Sequence, residues 1–93
     1  MSGEIVVTGE EALKVADALT SVSYRILQLL SKEALNVSTI AERLDLSEAY
    51  MSEQISLLEE LRLIKVSYVR GKKGIRKVCR SIVKKITIVI KPD

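Results

Sequence analysis

Apolar residues recur at helical spacing through the first 61 positions and then switch to alternation. In residues 38–61, STIAERLDLSEAYMSEQISLLEEL, Ile40, Ala41 and Leu44 share one face of a short helix and Leu46 sits in a tight turn. Met51, Ile55 and Leu58 continue that stripe along a longer helix. Two helices closed by so short a turn cross steeply, so their contact point accepts only a small side chain, and Ala41 stands there. Upstream, Glu4–Thr8 is β-branched and predicts a strand. Thr8-Gly9-Glu10-Glu11 predicts a capping box opening a helix that runs to about Leu19. A second helix is expected to start at Ser21 or Ser23 and to stop near Lys32, with Ile26, Leu27, Leu29 and Leu30 central in the core. Glu33–Val37 reads as a connector, Ser38 as the N-cap of the third helix and Ser47 as that of the fourth. Asp45 fills the turn between them, where it can enter the left-handed region at modest cost.

Past Leu61 the period falls to two. Ile64, Val66 and Tyr68 alternate with Lys65, Ser67 and Val69, Gly71-Lys72-Lys73-Gly74 forms a hairpin loop, and Ile75–Ser81 returns. Ile82–Ile90 alternates again, with Ile86, Ile88 and Ile90 in one phase, and Pro92 is expected to end the ladder. The first strand is expected to pair with Thr87–Ile90, within or between subunits. The fold class is therefore α+β, mainly α, as one domain over residues 1–93. It comprises a helix-turn-helix at 38–61, a β-hairpin wing at 63–81 and terminal strands at 4–8 and 82–90. This is the order of a winged helix-turn-helix, whose second helix of the pair is offered outward to a DNA groove.

Charge sharpens the picture. Residues 1–61 hold four basic and eleven acidic groups, a balance of −7, whereas residues 62–93 hold eleven basic groups and only Asp93, a balance of +10. The total of +3 hides this polarity, and a one-signed segment is an electrostatic footprint for a polyanion, most often nucleic acid. The chain has no His and a single cysteine, Cys79, expected to be buried as a small apolar residue. No acid–base or nucleophile constellation can be named, so the chain does not read as an enzyme. With no signal-like segment and no apolar run long enough to span a bilayer, it is expected to be cytoplasmic, with no membrane partner.

NVSTIAERLDLSEAYMSEQISLLEELRLIKV resembles the corresponding stretch of ArsR-like repressors. EIVVTGEEALKVADALTS and KKITIVIKP look like the terminal segments of archaeal members, which begin and end with a short strand. The resemblance covers most of the chain and implies an archaeal ArsR-like winged helix-turn-helix transcriptional regulator. Asp45 and Arg62 stand where that family has Gly, so the turn and the end of the recognition helix are expected to bend less sharply. One Cys and no His cannot build a thiolate or imidazole sensor, so metal sensing is not carried over and no cofactor is expected.

The candidate DNA contacts fall into two groups. On the recognition helix, Ser47, Glu48, Ala49, Tyr50, Ser52, Glu53 and Gln54 face outward. None is basic, so Glu48 and Glu53 repel phosphate by about 1 kcal/mol each at water-like screening, yet can accept a hydrogen bond from cytosine N4. The alternative reading is an ordinary solvated face. In the wing, Arg70, Lys72, Lys73, Arg76 and Lys77 flank one loop and are expected to project together from its tip onto the backbone or into the minor groove. Neutralising that many phosphates would give a salt slope of roughly −4 to −5 per subunit. Ser38 and Thr39 can donate to phosphate as well as cap. Gly71–Gly74 also matches the GXXG loop of KH domains, but that loop joins helices and these flanks alternate like strands.

The leading reading is a sequence-specific regulator of double-stranded DNA acting as a homodimer through the helix at 10–19 and the strand at 85–90. Its rivals are a protein-interaction winged helix of the transcription machinery and a sequence-independent chromosomal DNA-binding protein.

Overall fold

Each helix junction in the computed structural model, which describes residues 3–91, is set by a polar cap or by a left-handed residue. Strand β1 (Glu4–Val7) leads into helix α1 (Gly9–Ala18), which buries Ala12, Val15 and Ala18 and leaves Leu13 exposed. The capping box expected at Thr8 is absent: the Thr8 side chain makes no cap hydrogen bond. Gly9 has φ +59, and this left-handed entry turns the backbone away from the geometry such a box needs. Glu10 and Glu11 still favour the helix start, by complementing its dipole.

The capping box lies one helix later. Helix α2 (Ser21–Lys32) is capped by Thr20, whose Oγ1 accepts from the Ser23 N–H at 3.2 Å while the Thr20 N–H donates to Ser23 Oγ at 2.6 Å. Ser23 is fully buried and its hydroxyl also donates to the Ala18 carbonyl at 2.8 Å, which pins the end of α1 to the start of α2. From α2, Ile26, Leu27 and Leu30 enter the main core, whereas Leu29, expected beside them, is only half-buried.

The connector after α2 contains a short strand, β2 (Leu35–Asn36), and Asn36 rather than Ser38 caps helix α3 (Val37–Leu44). The Asn36 Oδ1 accepts the Thr39 N–H at 2.8 Å, so Ser38 already lies within the first turn. Asp45 ends α3 at φ 58, ψ 49, and the Leu46 N–H reaches back to the Ala41 carbonyl at 2.9 Å. Helix α4 (Glu48–Glu60) starts at Ser47, whose Oγ accepts the Tyr50 N–H at 3.1 Å. At its far end Arg62 has φ 63 and the Leu63 N–H reaches the Leu58 carbonyl at 3.0 Å. Both ends are therefore the same closure, a left-handed residue followed by a six-to-one hydrogen bond. The expectation of blunter bends at Asp45 and Arg62 is overturned: both residues take the conformation that Gly usually takes.

The chain then forms β3 (Ile64–Gly71) and β4 (Gly74–Ser81), paired antiparallel from Ile64↔Ser81 to Gly71↔Gly74. Neither Lys72 nor Lys73 is left-handed; Gly74, at φ +115, absorbs the reversal. On its other side β4 carries β2, so the sheet order is β2-β4-β3. A separate ribbon joins β1 to β5 (Lys85–Ile88) in parallel within the chain, Glu4↔Lys85 to Val7↔Ile88, two residues earlier in the final segment than expected. Pro92 lies outside the described residues, and strand pairing ends at Ile88.

The main core joins Ile26, Leu30, Ile40, Met51, Ile55 and Leu58 to Leu63, Ile64, Cys79 and Val83 of the sheet side. Ala41, buried at the α3–α4 crossing, meets the small-residue expectation. The radius of gyration is 14.0 Å, against about 12 Å for a compact chain of this length, because the wing reaches beyond the core. The architecture is a winged helix-turn-helix, mainly α.

Two stability outcomes are expected from these junctions. Arg62→Gly removes a left-handed side chain and should raise stability by about 0.5–1 kcal/mol, visible as a higher Tm; Asp45→Gly should gain less. Ser23→Ala orphans buried backbone groups and should cost about 1–3 kcal/mol in a denaturant titration.

Candidate nucleic-acid interface

The two closures that end α3 and α4 decide what each element shows to solvent. α4 buries Met51, Ile55 and Leu58, so its opposite face carries Glu48, Ala49, Tyr50, Ser52 and Glu53 into solvent. Gln54 is half-buried at the margin of that face. Further along, Ser56, Leu57, Glu59 and Glu60 line a shallow exposed groove with Ser52 and Glu53. The exposed side of α4 thus carries four carboxylates and no cation. Of the other predicted contacts, the Ser47 hydroxyl is engaged as a cap, Ser38 is exposed and Thr39 is half-buried at the start of α3.

In the wing the register fixes which side chains share a face. Residues directly opposite point the same way, and neighbours along a strand alternate. Ile64, Val66 and Cys79 face the helices, so Tyr68, Arg70, Ile75 and Lys77 continue that inner face out toward the tip. Tyr68 is 70% exposed and Ile75 is 69% exposed, so beyond the core this face alternates apolar and cationic groups in the open. Arg76 lies on the outer face, opposite Val69. The expectation that Arg70, Lys72, Lys73, Arg76 and Lys77 project together is therefore corrected. Lys72 and Lys73 occupy the turn, Arg70 and Lys77 share the inner face, and Arg76 faces away from them, because one residue of offset along a strand reverses a side chain.

Two cations were missed by the sequence reading. Lys65 and Arg80 stand directly opposite each other on the outer face, in the same phase as Arg76. The alternation of 65, 67 and 69 against 76, 78 and 80 carried that signal, but the pairing register was needed to bring the two together. The ion pairs found among the described residues, Arg43–Glu33 at 3.0 Å and Lys85–Glu4 at 3.4 Å, use none of the wing's cations.

Cys79 is fully buried on the inner face between Leu35 of β2 and Val66 of β3. Burial pushes its thiol above the usual range; Lys77 pulls it down and Glu59 adds a smaller push upward. The protonated thiol behaves here as a small apolar side chain. No helix among the described residues is long and apolar enough to cross a membrane. No group of His, Cys, Asp and Glu among them is arranged to hold a metal ion.

A helix-turn-helix domain family model matches residues 18–67, from the last residue of α1 to the middle of β3. Among solved structures, Lactococcus lactis ZitR in complex with DNA is 30% identical, with a TM-score of 0.60 over 68% of this chain and 42% of that chain. An ArsR-like transcriptional regulator from Rhodococcus sp. RHA1 is 26% identical over 76% of this chain and 64% of that one, at a TM-score of 0.57. A possible transcriptional regulator from Methanosarcina mazei shares the fold at 15% identity, with a TM-score of 0.65 over 81% and 66% of the two chains. The chain spans about half or less of the length of the ZitR chains it matches, from 42% to 52%. No curated protein matches it.

The buried thiol has measurable consequences. Native protein should react with a thiol-specific dye only slowly at neutral pH and release one equivalent in denaturant. Because the folded state holds the Cys79 proton more tightly, its contribution to stability is complete below the ordinary thiol range and is lost as pH rises through the raised folded value.

Proposed function

The chain belongs to the helix-turn-helix domain family, and from that premise we propose that it is a sequence-specific, duplex-DNA-binding transcriptional regulator of the archaeal ArsR-like type, acting as a homodimer. The observation that carries this reading is a wing with no acid over residues 64–81, whose turn and inner face present Arg70, Lys72, Lys73 and Lys77, beside a helix-turn-helix whose second helix keeps its outer face open. Lactococcus ZitR, whose structure includes DNA, supports the same reading.

In this mechanism the wing supplies most of the affinity. Lys72 and Lys73 at the turn and Arg70 on the inner face meet the backbone or the minor groove, where negative potential favours cations. α4 enters the major groove with an acidic face that weakens attachment to arbitrary DNA. Glu48 and Glu53 offset that repulsion only where a cytosine N4 amino group donates to them. Ala49 and Tyr50 supply apolar contact to thymine methyls, and Ser38, Thr39, Ser47, Ser52 and Gln54 supply polar contacts. The helix acts as a filter, and the hairpin as the anchor.

The dimer is supported by the apolar surface around the terminal ribbon. Val6 is 62% exposed, Leu13 63% and Ile90 90%, and β1 and β5 form a two-stranded sheet of their own. A two-stranded ribbon is marginal by itself, and covering it with a second copy would double the DNA site by two-fold symmetry. One further observation favours a protein partner: α4 exposes Leu57 within its acidic face, a combination suited to a basic, partly apolar surface.

Selection from random duplexes should return two symmetric half-sites. Lys72→Ala with Lys73→Ala should lower the salt slope of binding by about 2 and weaken all sequences alike. Glu48→Gln with Glu53→Gln should strengthen binding to random DNA and narrow the gap to the selected site. Failure of the wild type to bind any duplex at low salt would favour the protein partner; steep salt dependence without sequence preference would favour chromosomal binding. Val6→Asp or Leu13→Glu should shift the protein to monomer in sedimentation.

A further inference from the structure

The wing is cationic on both faces, and the two faces point in opposite directions. Arg70 and Lys77 lie on the inner face, and Lys65, Arg76 and Arg80 on the outer one. A hairpin whose turn and inner face rest on one straight duplex turns its outer face away from that duplex. The outer cations are therefore surplus to the contact proposed above.

They are also arranged against their own mutual repulsion. Lys65 and Arg80 are direct cross-strand partners, a placement that disfavours like charges unless an anion lies between them. Arg76 follows on the same face four residues before Arg80, about 13 Å away along the strand. All three are exposed, and neither ion pair found among the described residues engages them. Beside Arg80 a cleft of about 320 Å³ is bounded by Lys32, Glu33 and Ser81. The carboxylate of Glu33 is already engaged by Arg43 at 3.0 Å, so the free charge at that rim is positive.

From this arrangement we infer that the outer face of the wing sheet, centred on Lys65, Arg76 and Arg80, is a second DNA-binding surface that grips a separate duplex segment. The protein then bridges two stretches of DNA through one wing. This rests on the DNA-binding reading above. A duplex suits the surface because the cations are strung along a strand instead of gathered round one point, which matches a line of phosphates better than a single small anion.

The test is a bridging assay with the full chain. One duplex is tethered to beads, and capture of a second, labelled duplex is measured, while affinity for one short duplex is read separately by anisotropy. Wild type should capture the second duplex. Lys65→Glu with Arg80→Glu should reduce capture at least tenfold while changing single-duplex affinity less than threefold, and Lys65→Ser with Arg80→Ser should act in the same direction if the reversal impairs folding. Lys72→Ala with Lys73→Ala should weaken both readouts. Undiminished capture by the outer-face variants would overturn the inference, since bridging would then come from the two subunits of a dimer. An equal loss in both assays would also overturn it, by making the outer face part of the first site. Binding of wild type to phosphatidylserine vesicles without second-duplex capture would overturn it in favour of a membrane. No binding to even one duplex would remove the underlying reading as well.

Discussion

The directions of α4 and of the wing depend on one backbone device used twice. A left-handed residue ends each helix, and the next N–H returns to a carbonyl five residues back, Leu46 to Ala41 and Leu63 to Leu58. Each returning leucine is drawn inward by the core. The first closure crosses α4 over α3 at Ala41; the second turns the chain from α4 into β3 and drops Leu63 and Ile64 into the core. Neither position is Gly, so both bends hold side chains in a region that costs L-residues free energy. Burial of the flanking leucines is what offsets that cost. If either closure failed, the outer face of α4 and the wing would no longer be held by the same core.

Charge is segregated by element on this frame. The helices carry the acids on their exposed faces, and the sheet carries the bases. The main core between them is aliphatic, with Cys79 held as a protonated thiol and the buried Ser23 satisfied by its capping bonds. No buried ion pair is found among the described residues; the pairs present are exposed and contribute little to stability. Neither of those pairs involves a cation of the wing.

The terminal ribbon follows different physics. β1 and β5 pair in parallel through four residues each and pack Val7 and Ile5 against α1. Parallel pairs are usually covered on both faces. Here one face is covered by α1, while Val6 on the other remains exposed. Ile5 and Ile86 on the covered face also reach the main core, whereas the open face carries Val6 among Glu4, Lys85 and Thr87, so the ribbon is tied to the rest of the fold through one side.

Much of this was legible in the chain. The period of 3.6 gave α4 its buried stripe of Met51, Ile55 and Leu58, the period of 2 gave the hairpin, and the charge count placed the cations in the wing, because these patterns follow from local geometry alone. Caps were less legible. Thr8 and Ser38 have the right chemistry, yet Thr20 and Asn36 do the capping, since a cap depends on the backbone direction entering the helix, which Gly9 and β2 determine. The opposition of Lys65 to Arg80, the separation of Arg76 from Lys77 and the intrachain pairing of the terminal strands were decided only by tertiary structure. Each depends on strand register and partner choice, and those are fixed by burial of residues distant in sequence, which local spacing does not encode.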